Sequence, residues 1–120
     1  MAAPARPSTL RVAALQLRSS NDDVLGNLER ALPHVEAAAA AGAQLVLLPE
    51  LFSSGYSFTR ALWRVAERLD GPTRRFASAA AARLRVHIGL SFLEARGAHF
   101  CNTFIMLGAF FRRSSAARRR

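Results

Sequence analysis

The sequence predicts an α/β fold with about four strands and with helices on one face of the sheet. Short apolar segments alternate with segments whose apolar residues recur every three or four positions, which are the periods of strands and helices. Gly- and Pro-containing segments separate them. The order strand, helix, strand, helix, strand predicts parallel pairing through crossovers. A chain of 120 residues, 51% of them hydrophobic, suits one small domain.

The first third of the chain predicts a strand followed by a long helix. Leu10–Leu17, LRVAALQL, has the composition of a strand. Ser20 is predicted as the helix N-cap because Asp23 follows at capping-box spacing. Apolar residues then recur at helical spacing until Gly42, a plausible stop. Pro33 lies inside this pattern, and we expect it to kink or split the helix.

The rest of the chain predicts three more strands and two helices. A turn with the sequence ARGA separates the last two strands, so these are expected to form a hairpin. The predicted elements are strand Ala43–Leu48, helix Arg60–Leu69, helix Thr73–Leu84, strand Val86–Leu93 and strand Phe100–Leu107.

Two strands carry apolar residues on both alternating faces, which is typical of strands covered on both sides. They are the second strand, LVLL, and the fourth, FIML. Crossovers of one hand place the few predicted helices on one face only. The second layer is therefore missing, and we expect the chain to be part of a larger layered fold or to need a partner chain.

The charge lies mainly at one end of the chain. All 17 basic side chains are Arg, the net charge is +9, and five Arg fall within residues 112–120. The other 12 Arg exceed the eight acids by four, so the body is only mildly basic. A nucleic-acid partner bound by the tail would show steep salt dependence. It is not expected, because no basic stripe runs through the body.

Two classes of protein find no support in the sequence. No apolar run approaches the ~20 residues needed to cross a bilayer, and the N-terminus lacks the apolar core of a secretory signal. The single cysteine, Cys101, excludes an internal disulfide. We expect a cytoplasmic protein without membrane contact.

The stretch QLVLLPELF places a carboxylate, Glu50, just past the second strand. Ligands of open α/β sheets gather beyond the carboxyl ends of the strands. Apolar neighbours are expected to raise the pKa of Glu50 toward the range of a general base. The alternatives are a solvated loop glutamate or a structural partner for Arg. Tyr56, in the following loop, is a candidate substrate-binding residue, although it could equally pack on the body.

The other candidates for chemistry have simpler structural interpretations. Cys101 lies in a predicted strand, where we expect it to be a small buried residue rather than a nucleophile. Ser91 half resembles a nucleophile elbow but lacks the second glycine. His34, His87 and His99 have no metal-ligand spacing. The sequence therefore implies no metal and no cofactor.

Six pieces follow one another along the chain: LRVAALQL, a predicted helix beginning Asn-Asp-Asp, GAQLVLLPELFSSGY, LDGPT, HIGLSFLEA and HFCNTFIML. In this order they resemble the N-terminal half of the carbon–nitrogen hydrolase, or nitrilase, superfamily. The most specific is PELF followed by Gly-Tyr, and the Asp-Gly-Pro turn and the Asn-Thr strand support it. The resemblance covers about residues 10–108.

The resemblance implies an α-β-β-α sandwich, and this chain would hold one of its two α-β layers. It also implies assembly into homo-oligomers. It implies hydrolysis of amides, nitriles or N-carbamoyl amines, and SFLEA is closest to the N-carbamoyl amine amidases. A Glu acts as general base, a Lys stabilises the oxyanion, and a Cys attacks to give a thioester. Glu50 matches the family's glutamate.

The sequence also departs from the family pattern. No Lys follows the Asn-Thr strand, and Cys101 precedes the position expected for the nucleophile. We therefore expect a flexible N-terminus (1–9), a partial hydrolase domain (10–108) and an Arg-rich tail foreign to the family (109–120). The hypothesis is a truncated or misread family member, inactive by itself. The alternative is a noncatalytic assembly module that pairs its apolar sheet face with a partner chain.

Overall fold

The computed structural model describes residues 8–108, which form a four-stranded mixed sheet with two long helices. The predicted Arg-rich tail and all but the last two residues of the predicted flexible N-terminus lie outside the described residues. The elements are β1 Val12–Ala14, α1 Val24–Ala40, β2 Leu45–Leu47, α2 Ala61–Arg64, α3 Pro72–Leu84, β3 His87–Arg96 and β4 His99–Leu107.

The sheet has the strand order β1-β2-β3-β4. β1 pairs with β2 and β2 with β3 in parallel, whereas β3 and β4 form an antiparallel hairpin. Gly97 closes the hairpin with a φ of +57°, a conformation that glycine adopts without strain. The predicted α/β class, the parallel pairs and the hairpin are confirmed.

One face of the sheet and the two long helices form the hydrophobic core. Alternate strand residues point into it, as the period of two requires. The buried members are Leu28, Ala31 and Val35 from α1, Ala77, Ala80 and Ala81 from α3, Val46, Ile88, Leu90 and Phe92 from the strands, and Leu48, Phe52 and Val86 from the connections.

The long helix begins later than its sequence predicts. Asp23 is the N-cap, and its Oδ1 accepts a hydrogen bond of 3.1 Å from the Gly26 N–H. The prediction of Ser20 was wrong, because Asp22 has a φ of 62° and separates Ser20 from the helix. Of the two effects predicted for Pro33, a kink or a split of the helix, the split was wrong. This residue is exposed on a continuous 17-residue helix, where water can reach the carbonyl that lacks a partner.

The helix predicted over Arg60–Leu69 is a single turn, α2. After it, Glu67 forms a parallel bridge beside β3. The Glu67 N–H donates to the Leu93 carbonyl at 2.9 Å, and the Ala95 N–H donates to the Glu67 carbonyl at 2.7 Å. Pairing with a distant strand overrides the local helical pattern here.

The other sheet face, called the open face below, exposes apolar side chains. Val12, Phe104 and Met106 are 50%, 59% and 38% exposed. The strand register places these residues on the side opposite the helices. The expectation of an uncovered second face therefore holds for residues 8–108.

Candidate active site

The chain leaves the sheet at Pro49. The Leu48 N–H makes the last bond of β2 to its neighbour, donating to the Gly89 carbonyl at 3.0 Å. Proline has no N–H to continue the ladder. Glu50 is therefore the second residue of a loop that begins at the carboxyl end of a parallel strand.

The backbone after Glu50 has an unusual conformation. Leu51 has a φ of 50°, in the left-handed region that branched side chains rarely occupy. Its N–H donates a 3.2 Å hydrogen bond to Ser91 Oγ of β3, and its carbonyl accepts from the Gly55 N–H at 2.9 Å. These bonds hold a conformation that is costly by itself, and they fix the direction in which Glu50 leaves the strand.

Glu50 accepts hydrogen bonds from two other parts of the chain. Asn102 Nδ2, on β4, donates to Oε1 at 2.5 Å, and the Tyr56 hydroxyl donates to Oε2 at 2.7 Å. The carboxylate is exposed to solvent as well. Both hydrogen bonds lower the pKa of Glu50 below its usual range, and the one from Tyr56 has the larger effect. The predicted rise in pKa was wrong, because these donors favour the charged form more than the apolar neighbours disfavour it.

Tyr56 has a half-exposed ring, and its backbone is fixed at the loop end. Its N–H donates to Asn21 Oδ1 at 3.2 Å. Partial burial of the phenol has the largest effect on the pKa of Tyr56, and the hydrogen bond to Glu50 adds to it. Together they raise this pKa to about 12. The phenol is therefore a stable donor to the carboxylate. Its predicted role in binding a substrate stays a prediction.

The connection between β1 and α1 anchors the Glu50 loop. The buried side chain of Asn27 donates to the carbonyls of Ser20 at 2.7 Å and Ser53 at 2.8 Å. It also accepts from the Ser20 N–H at 2.8 Å. The Asp22 N–H adds a bond of 2.9 Å to the Ser54 carbonyl. Backbone groups that would lack partners in an irregular loop are satisfied by a neighbouring loop.

Aromatic side chains flank Asn102 on the open face. Phe100 and Phe104 lie two residues before and after Asn102, so all three share this face of β4. The Trp63 ring packs against Phe100 with 4.7 Å between centroids. The open face therefore presents a polar group within an apolar surface.

The other sequence candidates do not join Glu50 in a catalytic group. Cys101 is half-buried and pairs with Glu94 on the helix-facing side of the hairpin, opposite Asn102. Ser91 serves as the acceptor for Leu51. Within residues 8–108, no group of three His, Cys, Asp or Glu side chains could hold a metal ion. Nor is any helix in this range long and apolar enough to cross a membrane.

Sequence reasoning did not assign roles to Asn102 and Asn27. A signal for Asn102 was present, since it is an amide between Phe100 and Phe104 on a strand face that is otherwise apolar. Asn27 carried a similar signal, as a polar residue beside Leu28 on the buried side of α1.

The sequence matches the model of the carbon–nitrogen hydrolase family over residues 11–110. The chain belongs to this family. A Pseudomonas protegens protein named hydrolase in pqqF 5′ region is 33% identical, over 78% of this chain and 38% of its own length. The omega-amidase NIT2 of Danio rerio is 34% identical, over 84% of this chain and 36% of its own length.

Solved structures agree with this assignment. A carbon–nitrogen hydrolase superfamily protein of Xanthomonas campestris, with an arsenic adduct in its active site, superposes with a TM-score of 0.74. It is 30% identical, and the match covers 82% of this chain and 36% of that one. An amidase of the nitrilase superfamily from Nesterenkonia gives a TM-score of 0.72 at 26% identity, over 83% and 39% of the chains. This chain thus spans less than two fifths of the length of these relatives.

Proposed function

We propose that Glu50 is the general base of a carbon–nitrogen hydrolase site acting on amide, nitrile or N-carbamoyl groups. The observation that carries this proposal is its place at the carboxyl end of β2, with its carboxylate fixed by Asn102 and Tyr56. Family membership supports the reaction class. The named relatives include an omega-amidase and a nitrilase-superfamily amidase.

The proposed chemistry uses the carboxylate twice. On an amide, Glu50 first takes the proton of a cysteine thiol, whose sulfur then attacks the substrate carbon, and the carboxyl group passes this proton to the departing amine. A nitrile has no amine to lose at this step, so its thioimidate takes up one water and releases ammonia to reach the thioester. The resulting thioester is hydrolysed by a water that the same carboxylate deprotonates, and this releases the acid and the thiol. The lowered pKa keeps Glu50 ionised, as a base must be, at neutral pH.

Two of the three groups needed for this cycle have no counterpart in the chain. The sequence contains no Lys, and Cys101, its one thiol, faces away from Glu50. A donor for the oxyanion and a nucleophile are thus both missing. We therefore expect this 120-residue polypeptide to show no turnover by itself. The cytoplasmic location and the homo-oligomeric assembly stay predictions.

A chimera tests the proposal directly. Residues 11–108 replace the matching segment of the Danio rerio omega-amidase, whose remaining sequence completes the protein. We expect turnover of the parent's substrate, with Glu50→Gln reducing kcat by at least about 10³-fold. Glu29→Gln, at an exposed position of α1, is the matched control and should leave kcat unchanged. A folded chimera with equal activity with and without Glu50→Gln would contradict the base role.

A second function is favoured by the open face. Its exposed Val12, Phe104 and Met106 suit a noncatalytic assembly module that pairs this face with a partner chain. Size-exclusion chromatography with light scattering distinguishes the two. A module gives a defined complex that Phe104→Glu dissociates, whereas an incomplete hydrolase layer gives undefined aggregates.

A further inference from the structure

The Glu50 carboxylate receives one donor on each oxygen, and the two donors come from different elements. Asn102 lies on β4 and Tyr56 on the loop that follows β2. The sequence separations from Glu50 are 52 and six residues. Within residues 8–108, Glu50 takes part in none of the ion pairs, which excludes a described Arg as its structural partner.

We propose that Asn102 and Tyr56 are positioning residues that hold the Glu50 carboxylate in a single orientation for proton transfer at the open face. This inference rests on the proposed function, because it assigns the role of the two residues through the base. Neither residue is proposed to exchange a proton with a substrate.

The geometry supports a fixed carboxylate. A carboxylate offers about four lone-pair sites, so two donors leave one free site on each oxygen for a thiol or a water. Rotation about the Cγ–Cδ bond would break both hydrogen bonds at once. Fixing an exposed glutamate in one rotamer costs side-chain entropy. Two hydrogen bonds that impose this cost therefore indicate that the orientation of the carboxylate matters.

Both donors are held in place by other parts of the fold. Asn102 sits within the nine-residue register of the β3–β4 hairpin, opposite Leu93. Tyr56 is held through its N–H by Asn21. The left-handed Leu51 lies directly after Glu50 and is held by Ser91. Strain beside a fixed polar group is typical of functional sites rather than of solvated loops.

The two donors also set the pH range in which the base works. Both stabilise the charged form of Glu50, and Tyr56 is the titratable group that contacts it among residues 8–108. A lowered pKa means that the ionised base persists to lower pH. Removal of either donor should therefore move its titration, and the acidic limb of kcat/KM, to higher pH.

The test is a carboxyl-carbon NMR titration of Glu50 in the full 120-residue chain. Tyr56→Phe and Asn102→Ala are each expected to raise the midpoint, and the double variant should raise it further. Asn102→Asp keeps the shape of the side chain but places a second carboxylate beside the first, so it should give the largest rise. Cys101→Ser, one residue away on the opposite face, is the matched control and should leave the midpoint unchanged.

An unchanged midpoint in Tyr56→Phe and Asn102→Ala would overturn the proposal. If a variant at Asn102 fails to fold, Tyr56→Phe decides, because it removes only the hydroxyl of a half-exposed residue. In the chimera, the same two variants should shift the acidic limb of kcat/KM to higher pH. The two roles can fail separately. If the Tyr56 and Asn102 variants shift the titration but Glu50→Gln keeps the activity of the chimera, only the base role is refuted. If Glu50→Gln abolishes the activity but the titration does not shift, only the positioning role is refuted.

Discussion

Asn27 Nδ2 donates a hydrogen bond of 2.8 Å to the carbonyl oxygen of Ser53, which joins α1 to the loop that carries Glu50. The same amide group bonds to Ser20 on the other side. Asn27 is only 3% exposed, so water does not substitute for it. One side chain in the first turn of a helix therefore organises the two loops that surround the candidate base.

Asn27→Leu should destabilise the fold and release the Glu50 loop. The carbonyl of the buried Ser53 would lose its partner, and the exposed Ser20 would lose both of its bonds to Asn27, at a cost of about 3 kcal/mol in the free energy of unfolding. Urea denaturation measures this loss. The control, Asn21→Ala, removes an exposed amide that holds the Tyr56 N–H and should cost about 1 kcal/mol. Equal losses in the two variants would contradict the role given to Asn27.

Glu67 stabilises the start of α3. Its Oε1 accepts from the Thr73 N–H at 2.7 Å, and its Oε2 accepts from the Thr73 hydroxyl. Both residues are buried. Glu67→Ala leaves two donors unpaired and should lower the free energy of unfolding by about 2–4 kcal/mol. Thr73→Val, which removes only the hydroxyl, should cost clearly less, and the reverse order would show that the contact to the backbone N–H is unimportant.

Local patterns in the sequence predicted most elements of the fold but not those made by distant pairing. The periods that gave α1, α3 and the hairpin depend on neighbouring residues. The end of α2 depends on Glu67 joining β3, a contact between residues 26 or more positions apart. No local pattern encodes that pairing, so the predicted helix ran too far.

The candidate site shows the same division. The apolar strand followed by Pro49 and Glu50 predicted where the carboxylate lies, because proline ends the ladder. Its pKa depends first on Tyr56 and then on Asn102, which reaches it only through the pairing of β3 with β4. Apolar neighbours in the sequence therefore indicated a raised pKa, whereas the folded chain supplies two donors that lower it.

Arg85, at the end of α3, is a position where glycine should be better. It has a φ of 56°, the left-handed conformation typical of the residue after a helix, and its side chain is exposed. Arg85→Gly should raise the free energy of unfolding by about 1 kcal/mol, since glycine has no Cβ to clash there. Arg85→Ala retains the Cβ and is the control. A gain of the same size in both variants would show that the side chain, rather than the backbone, is responsible.

Glu94 should make the stability depend on acid. It is 4% exposed, and hydrogen bonds from Thr103 and then Arg96 lower its pKa below the ordinary value of 4.5. A carboxylate whose pKa is lower in the folded than in the unfolded state contributes stability above about pH 4.5. That contribution is lost as the pH falls through the folded-state pKa, because the unfolded chain then binds the proton more readily.

The free energy of unfolding, measured by urea titration between pH 6 and the acid range, should therefore fall less steeply in Glu94→Gln than in the native chain. Thr103→Val removes the donor with the largest effect on Glu94 and should reproduce much of this flattening while leaving the carboxylate in place. Since Glu50 titrates in the same direction, a residual slope is expected in both variants. A Glu94→Gln chain with the native slope would mean that the buried carboxylate keeps its proton affinity on folding, and the hydrogen bonds from Thr103 and Arg96 would then not favour its charged form.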